Sequence, residues 1–222
     1  MVAPDILEFD HFVMEIVGPC NGVVCLTERT GFLYVSIDDR KIRGQAIYLC
    51  NPATREYRGL PDSPFDFIPG LSCARQALGF GFDPCAKDYK VASVLYLPDE
   101  IDVERGTGLC KIEVYHHSSN SWREVDILSD EISSHGLVKC KDIRVTHPHF
   151  LLNGSFHWAA GCRINNYFIL CFDMNTEAVH AIPFPPASSS PDSILPRLVV
   201  LEDSLALVHV EYAGSEVVYE HI

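Results

Sequence analysis

The chain has 222 residues, 47% of them hydrophobic, enough for one large domain or two small ones around a substantial core. Thirty Asp plus Glu against 17 Lys plus Arg give a formal charge of -13, which speaks against sequence-independent nucleic-acid binding, since that runs on phosphate neutralisation, and favours a basic partner. Nine cysteines, an odd number with no C-x-x-C pair, read as thiols of a reducing compartment rather than a disulfide framework, and no apolar run is long enough for a helical membrane span.

Residues 1–18 carry Asp5, Glu8 and Asp10 and no basic region of the kind that opens a secretory signal. They read as a lead-in, the remnant of a preceding region, and 19–222 as the domain proper. The strand-like runs follow in order: GVVCLT (22–27), AIYLC (46–50), KVASVLYL (90–97), KIEVY (111–115), FHWAAG (156–161), YFILCF (167–172), RLVVL (197–201) and LALVHVEY (205–212). All are rich in β-branched and aromatic residues and bounded by Gly, Pro, Asn, Asp and Ser. No segment keeps a helical period, apart from one short turn expected near 129–135, so the chain reads as all-β.

Two elements recur. YLCNPATREYRGLP (48–61) aligns with EVYHHSSNSWREVD (113–126) and LCFDMNTEAVHAIP (170–183). Each is a strand, a six-residue polar turn and a returning strand, so that Tyr57, Trp122 and Val179 fall seven residues after Cys50, Tyr115 and Phe172. The second element is a turn pair before a strand: CNGVVCL (20–26), LNGSFHW (152–158) and EDSLALV (202–208). A unit of about 50 residues with three or four antiparallel strands predicts a propeller blade, and four units are marked at 19–65, 76–128, 147–186 and 196–222. The expected fold is thus an all-β, kelch-like, partial β-propeller of about four blades.

The succession GPCNGVVCL, IYLCNPATREYRGLP, GFGFDPCAKDYKV, IEVYHHSSNSWREVD, LNGSFHWAA, YFILCFDMNTEAVHAIPFP and RLVVLEDSLALV resembles the plant F-box-associated domain, above all that of S-locus F-box and F-box/kelch-like proteins. The resemblance covers about residues 18–222. It implies the substrate-recognition part of an Skp–cullin–F-box ubiquitin ligase receptor in the cytoplasm, and also the nucleus. In the S-locus branch the targets are basic stylar ribonucleases of self-incompatibility. This chain shows no stretch for the three F-box helices that dock the Skp-type adaptor, and by the family pattern the domain is cut short at its C-terminal end. A carbohydrate-binding β module and a truncated, non-functional paralogue are the alternatives.

No constellation for catalysis is visible, and no cofactor, metal, nucleic acid or membrane is expected. GFGFDP (79–84) reads as a strand entering an Asp-Pro turn rather than a phosphate loop. His147, His149 and His157 read as edge or core histidines, and His116 and His117 as solvated turn residues. Tyr57, Trp122 and Trp158 are expected in the core between units. The variable loops that would carry recognition are expected at 28–45, 62–75, 98–109 and 129–146. Within them Asp99, Glu100, Asp102 and Glu104 form an acidic loop suited to a basic protein target.

Overall fold

The structure is a computed structural model and describes residues 13–29, 46–65, 74–98, 108–125, 143–145, 149–162, 166–184, 197–210 and 217–221. Every regular element among them is a β-strand, in four antiparallel sheets. Sheet 1 holds β1 (Val13–Cys20), β2 (Val23–Arg29), β3 (Ile47–Asn51) and β4 (Glu56–Gly59). Sheet 2 holds β5 (Ala74–Asp83), β6 (Asp88–Pro98), β7 (Gly108–His116) and β8 (Ser121–Val125). In sheet 3, β9 (Ile143–Val145) and β10 (Phe150–Leu152) precede β11 (Ser155–Cys162), β12 (Asn166–Asp173) and β13 (Val179–Pro183). Sheet 4 holds β14 (Arg197–Leu201), β15 (Ser204–Val210) and β16 (Val217–His221).

The strands run in chain order across each sheet. In sheet 3 the first position is shared: β10 pairs with the start of β11 and β9 with its end. Pro148, which has no N–H to donate to a ladder, falls in the sequence between the two pieces.

Two boundaries differ from the sequence reading. The lead-in expected to end at residue 18 overlaps β1, whose ladder to β2 shifts register between Ile16 and Gly18. That bulge interrupts the alternation by which a strand is recognised. The loop expected over 129–146 contains β9, only three residues long and polar at its centre, Arg144. The helical turn expected near 129–135 lies outside the described residues.

The sheets stack in sequence, face to face. Cys25, Ile47 and Leu49 of sheet 1 meet Leu78, Phe80, Val91 and Tyr115 of sheet 2. The opposite face of sheet 2, with Ala92, Val94, Ile112 and Val114, meets Phe156, Trp158, Phe172 and Val179 of sheet 3. Sheet 3 then turns Ile169 and Cys171 to Leu198, Leu205 and Leu207 of sheet 4. The closest approach is at β5, where a Cβ on Gly79 would lie 2.7 Å from the Phe156 ring and one on Gly81 2.9 Å from the Met174 sulfur. Bare backbone here lets the large rings of sheet 3 pack directly on sheet 2.

The turns follow two patterns, as the repeats predict. Asn21-Gly22, Asn153-Gly154 and Glu202-Asp203 each close a two-residue hairpin with both residues at positive φ. The type I′ turn requires this, because its twist matches that of the flanking strands. Four-residue turns join β3–β4, β5–β6 and β7–β8, and a fourth, 174–177, lies between β12 and β13, closed by Asp173 N–H donating to Ala178 O; Arg55, Lys87, Asn120 and Glu177, the last residue of each, have positive φ. Cys50 pairs with Tyr57, Tyr115 with Trp122 and Phe172 with Val179, so the seven-residue offset is a cross-strand register.

Candidate recognition rim and the charged knot opposite it

In an antiparallel meander the first and third connections of a sheet lie at one end and the second at the other. In all four sheets the two- and four-residue turns are the first or third connections. They share one rim in sheets 1 to 3: the Tyr89 hydroxyl, beside the β5–β6 turn, reaches the Asn21 carbonyl, and Met174 N–H donates to Gly154 O at 3.0 Å. The strand ends at the opposite rim lead in the sequence into residues 30–45, 66–73, 99–107, 126–142, 163–165, 185–196 and 211–216, all but 163–165 longer than those turns. These seven segments carry 14 acids against 7 Lys plus Arg, so more than half of the net charge of -13 belongs to that rim.

The acidic residues Asp99, Glu100, Asp102 and Glu104 lie outside the described residues. In the sequence all four fall between β6 and β7, which pair as far as Pro98 with Gly108. The linker that leaves sheet 1 is held to sheet 1 by Leu60 N–H, which donates to Ile47 O, and to sheet 2 by the Trp122 indole N–H, which donates to Pro61 O at 2.8 Å, and by the Ser63 hydroxyl, which donates to the buried Glu113 carboxylate.

The turn rim is built differently. Asn51, Asp83 and Asp173 each open a four-residue turn, and each uses Oδ1 to accept two backbone N–H groups of that turn. This Asx geometry satisfies amides that the tight loop would otherwise leave without partners. The β7–β8 turn has His116 at that position, and Asp88 of the neighbouring strand replaces the missing acceptor, binding Ser118 through both its N–H and its hydroxyl.

A charged knot joins this rim of sheet 2 to sheet 3. The Lys90 ammonium, 2% exposed, lies 2.9 Å from Asp83 Oδ2 and 2.8 Å from Glu177 Oε1, and donates to Met174 O at 2.6 Å. Glu177 also pairs with Arg123 and lies 3.2 Å from His116 Nε2. Burial pushes the Asp83 carboxyl up, but Lys90 and the N–H groups of Ala86 and Cys85 outweigh it and hold it below the usual carboxylate value. Burial, with the charges of Lys90 and Arg123, pushes His116 below its ordinary value and outweighs Asp88 and Asp83. The sequence reading took His116 as solvated, but the register Lys90↔His116 carries it into the knot.

Trp158 is fully buried between sheets 2 and 3, its indole N–H 3.4 Å from Leu78 O, as expected of an inter-sheet residue. Trp122 is partly buried against sheet 1 and tilted on Tyr115. Tyr57 departs from expectation. It holds the same register position as Trp122 but is 46% exposed, because its face of sheet 1 points away from sheet 2. His149 sets its ring edge on Phe156, and burial holds His157 below its ordinary pKa; His147 lies outside the described residues. Among the described residues no group of His, Cys, Asp or Glu is arranged to hold a metal ion. Burial pushes the thiols of Cys25, Cys110 and Cys171 up to about 12, which keeps them protonated and unreactive at neutral pH.

No helix among the described residues is long and apolar enough to cross a membrane. The Arabidopsis thaliana F-box/kelch-repeat protein At3g23880 is 24% identical over 181 residues, 82% of this chain and 41% of the relative. Putative F-box protein At3g16210 of the same plant is 23% identical over 174 residues, 75% of this chain and 36% of the relative. The chain therefore spans about two-fifths of the length of such relatives. A family 117 glycoside hydrolase of Zobellia galactanivorans overlaps 91% of this chain and 63% of its own at 8% identity, with a TM-score of 0.44, too low to bear on function. The model of the F-box associated beta propeller domain matches residues 5–218. With four meander sheets stacked in sequence and two turn patterns repeated from sheet to sheet, the chain belongs to the F-box associated β-propeller domain family.

Proposed function

We propose that this domain is the target-holding part of a ubiquitin-ligase receptor, a non-catalytic protein-interaction module whose adaptor contact is made through an F-box elsewhere in such receptors. One observation carries the reading. The fold separates a rim of short, internally fastened turns from a rim of long connections in which acids outnumber bases two to one. Recognition on a rigid β-scaffold belongs to such connections, because they can vary without disturbing the sheets. The target that suits them is a basic protein, and a basic ribonuclease, as the S-locus resemblance implies, is the specific candidate. The compartment that goes with it is the cytoplasm, with the nucleus as a second location.

Asp99, Glu100, Asp102 and Glu104 steer that target to the rim. Steering by exposed charge acts mainly on the association rate and fades as salt rises. The test is stopped-flow association of a basic ribonuclease with the wild-type chain and with the D99N/E100Q/D102N/E104Q variant, at low and high salt. The expected outcome is association roughly tenfold or more slower for the variant at low salt, converging with wild type at high salt, and an unchanged melting curve. Equal rates for both proteins at both salts would remove the acidic loop from the recognition surface.

A further inference from the structure

The linker that leaves β4 is held at two points through its backbone and at a third through a side chain. Leu60 N–H and Pro61 O are the backbone points. Ser63 is the third: its hydroxyl donates to the Glu113 carboxylate and accepts the Phe65 N–H at 3.0 Å. Ser63 is 2% exposed and Glu113 fully buried, yet Asp62 and Pro64 on either side of Ser63 are exposed. The hydroxyl thus reaches inward from backbone that lies at the surface. Residues 60–65 belong to no strand, and the Lys111 ammonium stands 6.0 Å from the centre of the Phe65 ring. A segment outside the ladders opens at a fraction of the free energy of global unfolding.

The Ser63–Glu113 contact works only while Ser63 carries a proton to donate. A phosphoryl group on that oxygen removes the donor and brings a charge of about -1.5 to -2 at neutral pH against a buried carboxylate. Like-charge repulsion and the cost of desolvating the phosphate then both oppose closure. The residue after Ser63 is Pro64. It biases Ser63 towards extended backbone, and a proline directly after the acceptor is what one class of serine/threonine kinases reads.

We propose that Ser63 is an acceptor site for a proline-directed protein kinase, and that its phosphorylation releases residues 60–65 from sheet 2. The kinase acts on the opened segment. The Ser63 oxygen attacks the γ-phosphorus of ATP, the bond to ADP breaks as the new P–O bond forms, and the hydroxyl proton passes to the catalytic carboxylate of the kinase. The phosphoserine cannot return beside Glu113, so the open arrangement becomes the resting one. In the sequence the released segment leads into residues 66–73 at the rim assigned to target binding. An effect on the target rests on that reading, whereas phosphorylation and release do not.

The test treats the full chain with a kinase of the mitogen-activated class and ATP, and maps phosphate by mass spectrometry. Ser190-Pro191 is a second Ser-Pro pair, so Ser190→Ala is the background. Phosphate is expected at Ser63 and is lost in Pro64→Ala. Trp122 emission should shift to the red as its indole gives up Pro61 O, a shift that Trp122→Phe abolishes. Because Trp122→Phe removes one bond that holds the segment closed, it should also speed phosphorylation roughly fivefold. Ser63 left unmodified by a kinase that phosphorylates a peptide of the same sequence, a rate indifferent to Trp122→Phe, or a phosphorylated chain with unchanged Trp122 emission would each overturn the proposal.

Discussion

Lys90 is the third residue of β6, followed by a run of Val, Ala, Ser, Leu and Tyr, and its charge is buried with two carboxylates within 3 Å. An ion pair removed from water gains little over an apolar pair of the same volume, but breaking it strands the partner. Lys90→Met should therefore cost about 3–5 kcal/mol in urea unfolding, because Asp83 and Glu177 are left facing each other. Adding Asp83→Asn and Glu177→Gln to it should recover most of that loss. At the opposite extreme is Glu202-Asp203, where two residues with side chains hold φ of 47° and 63° in a turn that Asn-Gly fills elsewhere in the chain. Replacing the pair by Asn-Gly relieves that strain and should raise stability by about 1–2 kcal/mol, read as a shift of the denaturation midpoint at constant slope.

At the scale of the element, the turns decide how the fold responds to acid. Burial pushes the Asp173 carboxyl up, but the Thr176 N–H and hydroxyl, the Asn175 N–H and the Ser155 hydroxyl outweigh it and hold it below 3.8; Asp83 is depressed in the same way. A carboxyl depressed by folding contributes stability above its unfolded value, lost as pH falls from there through the folded value. His116 is also depressed by folding, so below 6.5 the unfolded chain takes up a proton that the folded one resists. Stability should thus decline in two steps, a first below about pH 6.5 and a second below about pH 4. Asp173→Asn keeps the Oδ1 acceptor that Asn51 supplies in sheet 1, so it should reduce the lower step and change stability at pH 7 little. Urea titrations from pH 3 to 8 measure both.

The turns were also what the sequence displayed best. Asn-Gly pairs and the seven-residue offset are local signatures, and both appear where sequence placed them. The weak points were β1, masked by a bulge, and β9, too short to show a period. The knot was illegible because its parts, Asp83, Lys90, His116, Arg123 and Glu177, span nearly a hundred residues and meet only through the packing of two sheets. Tyr57 shows the limit of repeat logic. Its register was correct, but burial depends on the neighbouring sheet and not on the register. Asp99, Glu100, Asp102 and Glu104 were singled out by charge alone, and they lie outside the described residues.

Across the whole molecule, each sheet has its own neighbours and little else, so the stack behaves as a row of coupled units rather than one globule. The couplings are unequal. Sheets 2 and 3 share the largest core, the glycine-lined approach of β5 to Phe156, and the Lys90 knot, whereas sheets 3 and 4 share a smaller apolar patch.

That inequality gives the molecule a sense of time. As opening fluctuations begin where coupling is weakest, amides of β14 and β15 should exchange with deuterium first and those of β6, β7, β11 and β12 last, at a rate set by global unfolding. Lys90→Met should erase the lag between sheets 2 and 3 and their neighbours without changing which sheet leads. Peptide-resolved exchange would read this directly; uniform protection across all four sheets would mean the row melts as one. A chain so arranged sheds its periphery while its middle holds, and the rungs between β6 and β7, which flank residues 99–107 in the sequence, stay paired longest.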